Sequence, residues 1–231
     1  GIRDRLVERG LSAEKLVLIP NGANTDLFRP RPDEGAALRR ELGLDDRFLV
    51  LYAGIHGIAQ GLETALRAAH LLADDNRIHF LFVGDGPVKA DLLALKEELH
   101  LANVTMLEAQ PRESIPAYLS AADVALVPLR RLDLFKGALP SKIFDAWACG
   151  CSVLLSIEGE ARRVLEQAQA GLFVEPESPQ VLAEAVRRLA ADRGQCRVYG
   201  ANGRRFVEAH YSRQAQARRL TELLCKIIAA D

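Results

Sequence analysis

What this 231-residue sequence lacks narrows it first. No apolar run approaches the roughly 18 residues of a membrane-spanning helix, so no segment reads as transmembrane. No charge dominates: 30 lysines and arginines stand against 31 aspartates and glutamates, a net charge of −1. That balance argues against a dedicated nucleic-acid binder, although a local basic patch remains compatible with it. Cysteine is scarce. The four are Cys149, Cys151, Cys196 and Cys225, and no further cysteine or histidine cluster completes a zinc site around Cys149-Gly150-Cys151. They read as reduced, mostly buried thiols of a cytosolic protein. Internal repeats, low-complexity segments and a secretory leader pattern are also missing. So are a P-loop, a Ser-His-Asp order and a metal-ligand cluster, so no metal is expected. The chain opens on Gly1 inside helical-looking sequence that runs to Arg9, which predicts a domain excised from a longer protein.

Hydrophobic residues make up 49% of the chain and charged ones 26%, ordinary for a globular protein with one large or two small domains. Short apolar runs alternate with helical periodicity. Residues 16–19 predict a short strand, ended by Pro20-Asn21-Gly22. Residues 48–53, 78–83, 104–107, 124–128, 151–156 and 172–174 predict further strands. Helices are expected over 62–73, 90–99, 114–121 with Ser114 as N-cap, 143–149, 160–168 and 179–191, with two more before the C-terminus. The strand runs are continuously apolar, as when both faces of a parallel sheet are buried. The alternation predicts an α/β fold: a doubly wound, Rossmann-like parallel sheet of about six strands with helices on both faces. Ligands in such sheets bind beyond the C-terminal strand ends. Loops 54–61, 84–87, 107–112 and 128–141 should therefore share one edge.

Within that edge, Pro140-Ser141-Lys142 reads as a helix start. Asp145 suits a first turn, where the helix dipole favours anions. Lys142 does not, unless something more negative lies in front of it. A phosphate meets that condition. Gly54-Ile55-His56-Gly57 follows a strand and precedes a helix. Its glycines let backbone N–H groups approach a diphosphate, and an ordinary strand-to-helix turn explains the same residues. Gly84-Asp85-Gly86-Pro87 is a tight turn.

Taken in order, the segments IPNGANTDLF, LYAGIHGIAQGLETALRAA, FVGDGP, AADVALVPL, LPSKIFDAWACGCSVLLS and AGLFVEPESPQVLAEAV resemble the C-terminal half of the retaining glycosyltransferases of group 1 (family 4). These share the two-Rossmann-domain architecture called GT-B. The resemblance covers almost the whole chain and is nearest to bacterial amino-sugar transferases of surface-polysaccharide biosynthesis. It implies that residues 16–211 form a nucleotide-sugar-binding domain. Residues 1–15 would end the N-terminal domain or link to it, and residues 212–231 would form a helix crossing back. The implied activity is that of a hexosyl- or N-acetylhexosaminyl-transferase using a nucleotide-sugar donor, UDP-linked by likeness, and no cofactor. The implied partners are a glycan or lipid-linked acceptor and a missing N-terminal acceptor domain, without nucleic acid. The full enzyme would be cytoplasmic and peripheral to the inner membrane face, and the isolated fragment inactive.

The same resemblance implies the site residues. The donor diphosphate falls to Gly54, His56, Gly57, Ser141 and Lys142, and the base to Gly84, Leu107 and Glu108, with the backbone groups of residues 107–110 meeting its edge. Asp145 stands where the family has the second glutamate of its Glu-x7-Glu motif, which binds the ribose. Arg130, Arg131 and Lys136 are candidates for sugar or phosphate contacts, or else solvated loop charges. No catalytic residue is assigned, because in such enzymes the leaving phosphate takes the acceptor proton. Three positions depart from the pattern. Ile55 and Gln60 replace an Arg and a Lys that pair with the diphosphate, and Gly137 replaces the first glutamate. Lys142 is expected to supply the missing cation, with Asp145 one turn deeper at the ribose. The departures leave two other readings open. One is a nucleotide-binding or regulatory module with an eroded site. The other is a different GT-B enzyme, such as a UDP-sugar epimerase or a phosphorylase.

Overall fold

The structure, a computed structural model, describes residues 2–229. Its strands form where apolar, β-branched and aromatic residues run together. They are β1 (Phe48–Ala53), β2 (Ile78–Val83), β3 (Val104–Leu107), β4 (Val124–Pro128), β5 (Ser152–Ser156) and β6 (Gly171–Phe173). All neighbours pair in parallel, in the order β3-β2-β1-β4-β5-β6. The chain lays β2 and β3 on one side of β1, then returns to lay β4, β5 and β6 on the other. The β1/β4 boundary is the switch point, where connecting loops diverge and leave a crevice.

The described helices are α1 (Ile2–Glu8), α2 (Pro32–Leu42), α3 (Glu63–His70), α4 (Lys89–Glu98), α5 (Ile115–Ala121), α6 (Ser141–Ala148), α7 (Glu160–Ala168), α8 (Pro179–Ala191), α9 (Arg193–His210) and α10 (Arg213–Ile228), of which α3, α4 and α8 pack on one face of the sheet and α5, α6 and α7 on the other. Alternate residues of β1 serve opposite faces, by the period of two along a strand. Phe48, Val50 and Tyr52 join a core with Leu66 of α3, Leu92 of α4 and Leu182 of α8. Leu49 and Leu51 join a second core with Leu119 of α5, Phe144 and Trp147 of α6 and Val164 of α7. Trp147 is fully buried, and its indole N–H donates to the Ala170 carbonyl at 2.9 Å. A ring of that size contributes about 3 kcal/mol on burial, so it anchors α6 firmly under the sheet edge.

The strand expected at 16–19 does not form. A single 3-10 turn, Ala13–Lys15, precedes it, and Val17 and Leu18 are exposed rather than packed beside a partner strand. Conversely, α2 appears where no helix was expected. Pro32 opens it, Asp33 and Glu34 occupy its first turn, and Gly43 closes it in the left-handed region at φ 67°. Ser114 sits before α5 without capping it. Its backbone is already helical (φ −85°, ψ −23°), which keeps the hydroxyl from the first-turn amides. The other boundaries fall within a few residues of expectation. Among the described residues no helix is long and apolar enough to cross a membrane.

Candidate functional site

A cleft of about 410 Å³ opens at the C-terminal edge of the sheet, beside the switch point. The turns after β1, β2 and β3 form its walls, and the start of α6 closes it. The turns are tied together by backbone hydrogen bonds that extend the sheet beyond its strands. Gly54 N–H donates to Val83 O at 2.9 Å, and Gly84 N–H donates to Leu107 O at 3.2 Å.

Lys142 reaches this cleft by crossing the end of β1. Its Nζ and Cε pass so close to Gly54 that a side chain there would overlap them. The ammonium lies 4.2 Å from the centre of the Tyr52 ring and donates to the Tyr52 hydroxyl at 2.8 Å. That hydroxyl donates in turn to Ile55 O at 2.5 Å. Lys142 has no carboxylate partner among the described residues. Burial without a counter-ion pulls its pKa from 10.5 down to about 8.

Asp145 lines the same cleft one turn along α6. Burial pushes its pKa up to about 6, opposed by the nearby charges of Arg112 and Arg213. Its Oδ2 lies 3.8 Å from Arg112 Nη2, and its buried Oδ1 has no hydrogen-bond partner among the described residues. Arg112 itself sits 5.0 Å above the Phe28 ring. The cleft thus joins the Lys142 ammonium, the Arg112 guanidinium, the carboxylates of Asp85 and Asp145, the latter with spare acceptor capacity, and the amide end of α6, which suits an anion beside a hydroxylated group.

The expected residues separate into three groups. Gly54, Gly84, Ser141, Lys142 and Asp145 all line the cleft. His56 and Gly57 do not: both are buried beneath it. The His56 ring packs beside Tyr52 and Phe82, its two buried ring nitrogens have no hydrogen-bond partner among the described residues, and its backbone N–H donates to Asp85 O at 2.8 Å. Burial, with Lys89 and Lys142 nearby, lowers the His56 pKa, opposed by Asp85 and Glu108. Of the stretch 107–110 expected at the base, Ala109 and Gln110 line the cavity, whereas Leu107 and Glu108 do not. The Leu107 carbonyl is spent on Gly84, and Glu108 pairs with Lys89 Nζ at 2.7 Å.

Arg130, Arg131 and Lys136 form the third group. They border a separate, small depression and none lines the cleft. Each is already matched by acids. Arg130 pairs with Glu63, Arg131 with Glu175 and Glu158, and Lys136 with Asp133 at 2.7 Å. Tyr52 and Arg112 are the site residues that the sequence reading missed. Arg112 lies in the 107–112 loop already assigned to this edge, so its charge was the available signal.

The profile of the family described as "Glycosyl transferases group 1" matches residues 36–206, which span every element around the cleft. The chain belongs to that family. Among its relatives is the putative colanic acid biosynthesis glycosyl transferase WcaI of Escherichia coli K12, 32% identical over 190 residues, or 80% of this chain and 46% of that protein. The GDP-mannose-dependent alpha-(1-6)-phosphatidylinositol monomannoside mannosyltransferase of Mycobacterium tuberculosis H37Rv is 29% identical over 232 residues, 96% of this chain and 59% of that one. Sucrose-phosphate synthase of Thermosynechococcus elongatus superposes with a TM-score of 0.81 at 28% identity, over 100% of this chain and 58% of its own. Anabaena HepE, solved with UDP-glucose, shares the fold with a TM-score of 0.83 at 20% identity, over 97% of this chain and 61% of its own. This group 1 chain spans about half the length of the curated relatives it matches.

Proposed function

We propose that this chain is the donor-binding half of a retaining glycosyltransferase, and that the cleft holds the nucleoside diphosphate of a UDP-sugar. The observation that carries the reading is the Lys142 ammonium, held without a carboxylate partner where the turn after β1 meets the start of α6. A diphosphate brings about two negative charges into a partly dry cleft and needs a cation and N–H donors there. Lys142, Ser141 and the α6 amides supply both. As the bond from sugar to phosphate breaks, negative charge grows on the leaving diphosphate. A fixed ammonium lowers the energy of that developing charge. Asp145 accepts from ribose hydroxyls, and the turn at Ala109 and Gln110 meets the base.

The partial coverage of its relatives supports a second half that carries the acceptor site, for a glycan or lipid-linked acceptor. So does α10, which has no buried residue and exposes Leu220, Leu224 and Ile227. The chain alone is then expected to bind donor nucleotide without turnover. Placement in the cytoplasm against a membrane face follows from the same reading of the acceptor.

The base is the point an experiment decides, since HepE was solved with UDP-glucose and the mycobacterial relative is GDP-mannose-dependent. Calorimetry against UDP, GDP and ADP should give micromolar to millimolar binding of UDP, roughly −4 to −8 kcal/mol, with the other two weaker. Preference for GDP, or equal binding of all three, overturns the choice of uracil. Silence from all three at millimolar concentration overturns the donor site.

A further inference from the structure

We propose that Tyr52 is a positioning residue for the diphosphate cation: its ring and hydroxyl fix Lys142 Nζ at the switch point and tie it to the turn at Ile55. The proposal rests on the reading that Lys142 receives the diphosphate.

Tyr52 is 1% exposed, lies in the apolar core with α3, α4 and α8, and does not line the cleft. Lys142 starts from α6, whose Ile143 and Phe144 belong to the core on the other face. The two meet only because Gly54, at φ 146°, puts no side chain in the way. A phenol has one proton to give. Here it goes to Ile55 O at 2.5 Å, which leaves an oxygen lone pair for the ammonium at 2.8 Å. Burial raises the Tyr52 pKa, so that proton stays in place across the working pH range. The ring adds a cation–π contact at 4.2 Å. A lysine has four rotatable bonds and a compact, strongly hydrated charge, so by itself it would favour solvent over a fixed point in a cleft. Tyr52 removes that freedom. It also couples the cation to the backbone turn that borders the same cavity. The arrangement suits a site in which Ile55 and Gln60 offer no further charge.

The test is a cycle of Tyr52→Phe, Lys142→Ala and the double variant, each titrated with UDP and with uridine. Tyr52→Phe keeps the ring and removes one oxygen. It should weaken UDP about tenfold, the scale of one charge-assisted hydrogen bond, and uridine less than about twofold. In the Lys142→Ala background it should cost UDP nothing more. An equal loss in both backgrounds, an equal loss for uridine, or no loss for UDP overturns the positioning role. If Lys142→Ala itself leaves UDP affinity unchanged, the diphosphate reading has failed first, and that arm tells the two failures apart. A second measurement keeps both the ring and the hydroxyl of Tyr52. With 3-fluorotyrosine at the four tyrosines, assigned by replacing the other three with Phe, the Tyr52 fluorine resonance should move on Lys142→Ala. UDP should shift it in the unsubstituted chain and not in Lys142→Ala. A Tyr52 resonance indifferent to Lys142 contradicts the proposal.

Discussion

Lys142 and Asp145 stand three residues apart on α6, line one cleft, and form no ion pair with each other. Opposite charges at that spacing normally attract across a helix surface. Here the ammonium turns to Tyr52 and the carboxylate faces Arg112. Each group loses hydration without gaining the other's charge. Burial therefore drives their pKa values toward each other, to about 8 and about 6. Groups displaced in this way mark a site built for a ligand more often than a surface built for stability.

The first consequence is a stability cost that a substitution should relieve. The folded pKa of Lys142, about 8, lies below its ordinary 10.5. Below pH 8 both folded and unfolded states carry the charge, and the full cost of about 3 kcal/mol is present. Between pH 8 and 10.5 the unfolded chain keeps a proton that the folded chain has lost, so the cost fades as pH rises. Lys142→Met should raise stability at pH 7 by up to about 3 kcal/mol, with the gain shrinking by pH 10. Urea denaturation at both pH values checks this. A Lys142→Met chain less stable than its parent at pH 7 would count against an uncompensated buried ammonium.

A second consequence concerns protons. A bound diphosphate stabilises the charged lysine and raises its pKa. At pH 8.5 part of the Lys142 population is neutral in the free chain, so UDP binding should take up a fraction of a proton. Calorimetry in two buffers of different ionisation enthalpy measures that fraction. It should vanish in Lys142→Met. Uptake that persists in the variant would locate the titrating group elsewhere.

Asp145 should act on a different part of the ligand. Asp145→Ala is expected to weaken UDP and uridine by the same factor, about 10- to 150-fold for a hydrogen bond to a charged group worth roughly 1.5–3 kcal/mol. A loss confined to UDP would place Asp145 near the phosphates and displace it from the ribose.

The fold was largely legible because its strands are buried on both faces, which leaves continuous apolar runs such as 48–53 and 78–83. Residues 16–19 carry the same pattern and fail, because apolarity alone does not supply a neighbouring strand. In α2 the information lay in the ends, Pro32 and Gly43, rather than in a strong apolar stripe: Gly35 is its one buried residue. The site was partly legible. Lys142 and Asp145 stand out because a cation at a helix start conflicts with the dipole. Tyr52 does not stand out. It reads as one more strand residue, and its bond to Lys142 joins positions 90 residues apart. His56 is the converse case: a polar residue in a glycine-rich loop resembles a ligand, yet its ring is buried beside Tyr52 and Phe82 and does not line the cleft.

The most direct measurement is the affinity of Lys142→Ala for UDP and for uridine, with the fold checked by circular dichroism. If Lys142 is the cation that meets the donor diphosphate, UDP should weaken about 10- to 150-fold, the worth of a charge-assisted hydrogen bond of roughly 1.5–3 kcal/mol. Uridine, which has no phosphate, should be unaffected. A folded Lys142→Ala chain that binds UDP as tightly as its parent would contradict the account.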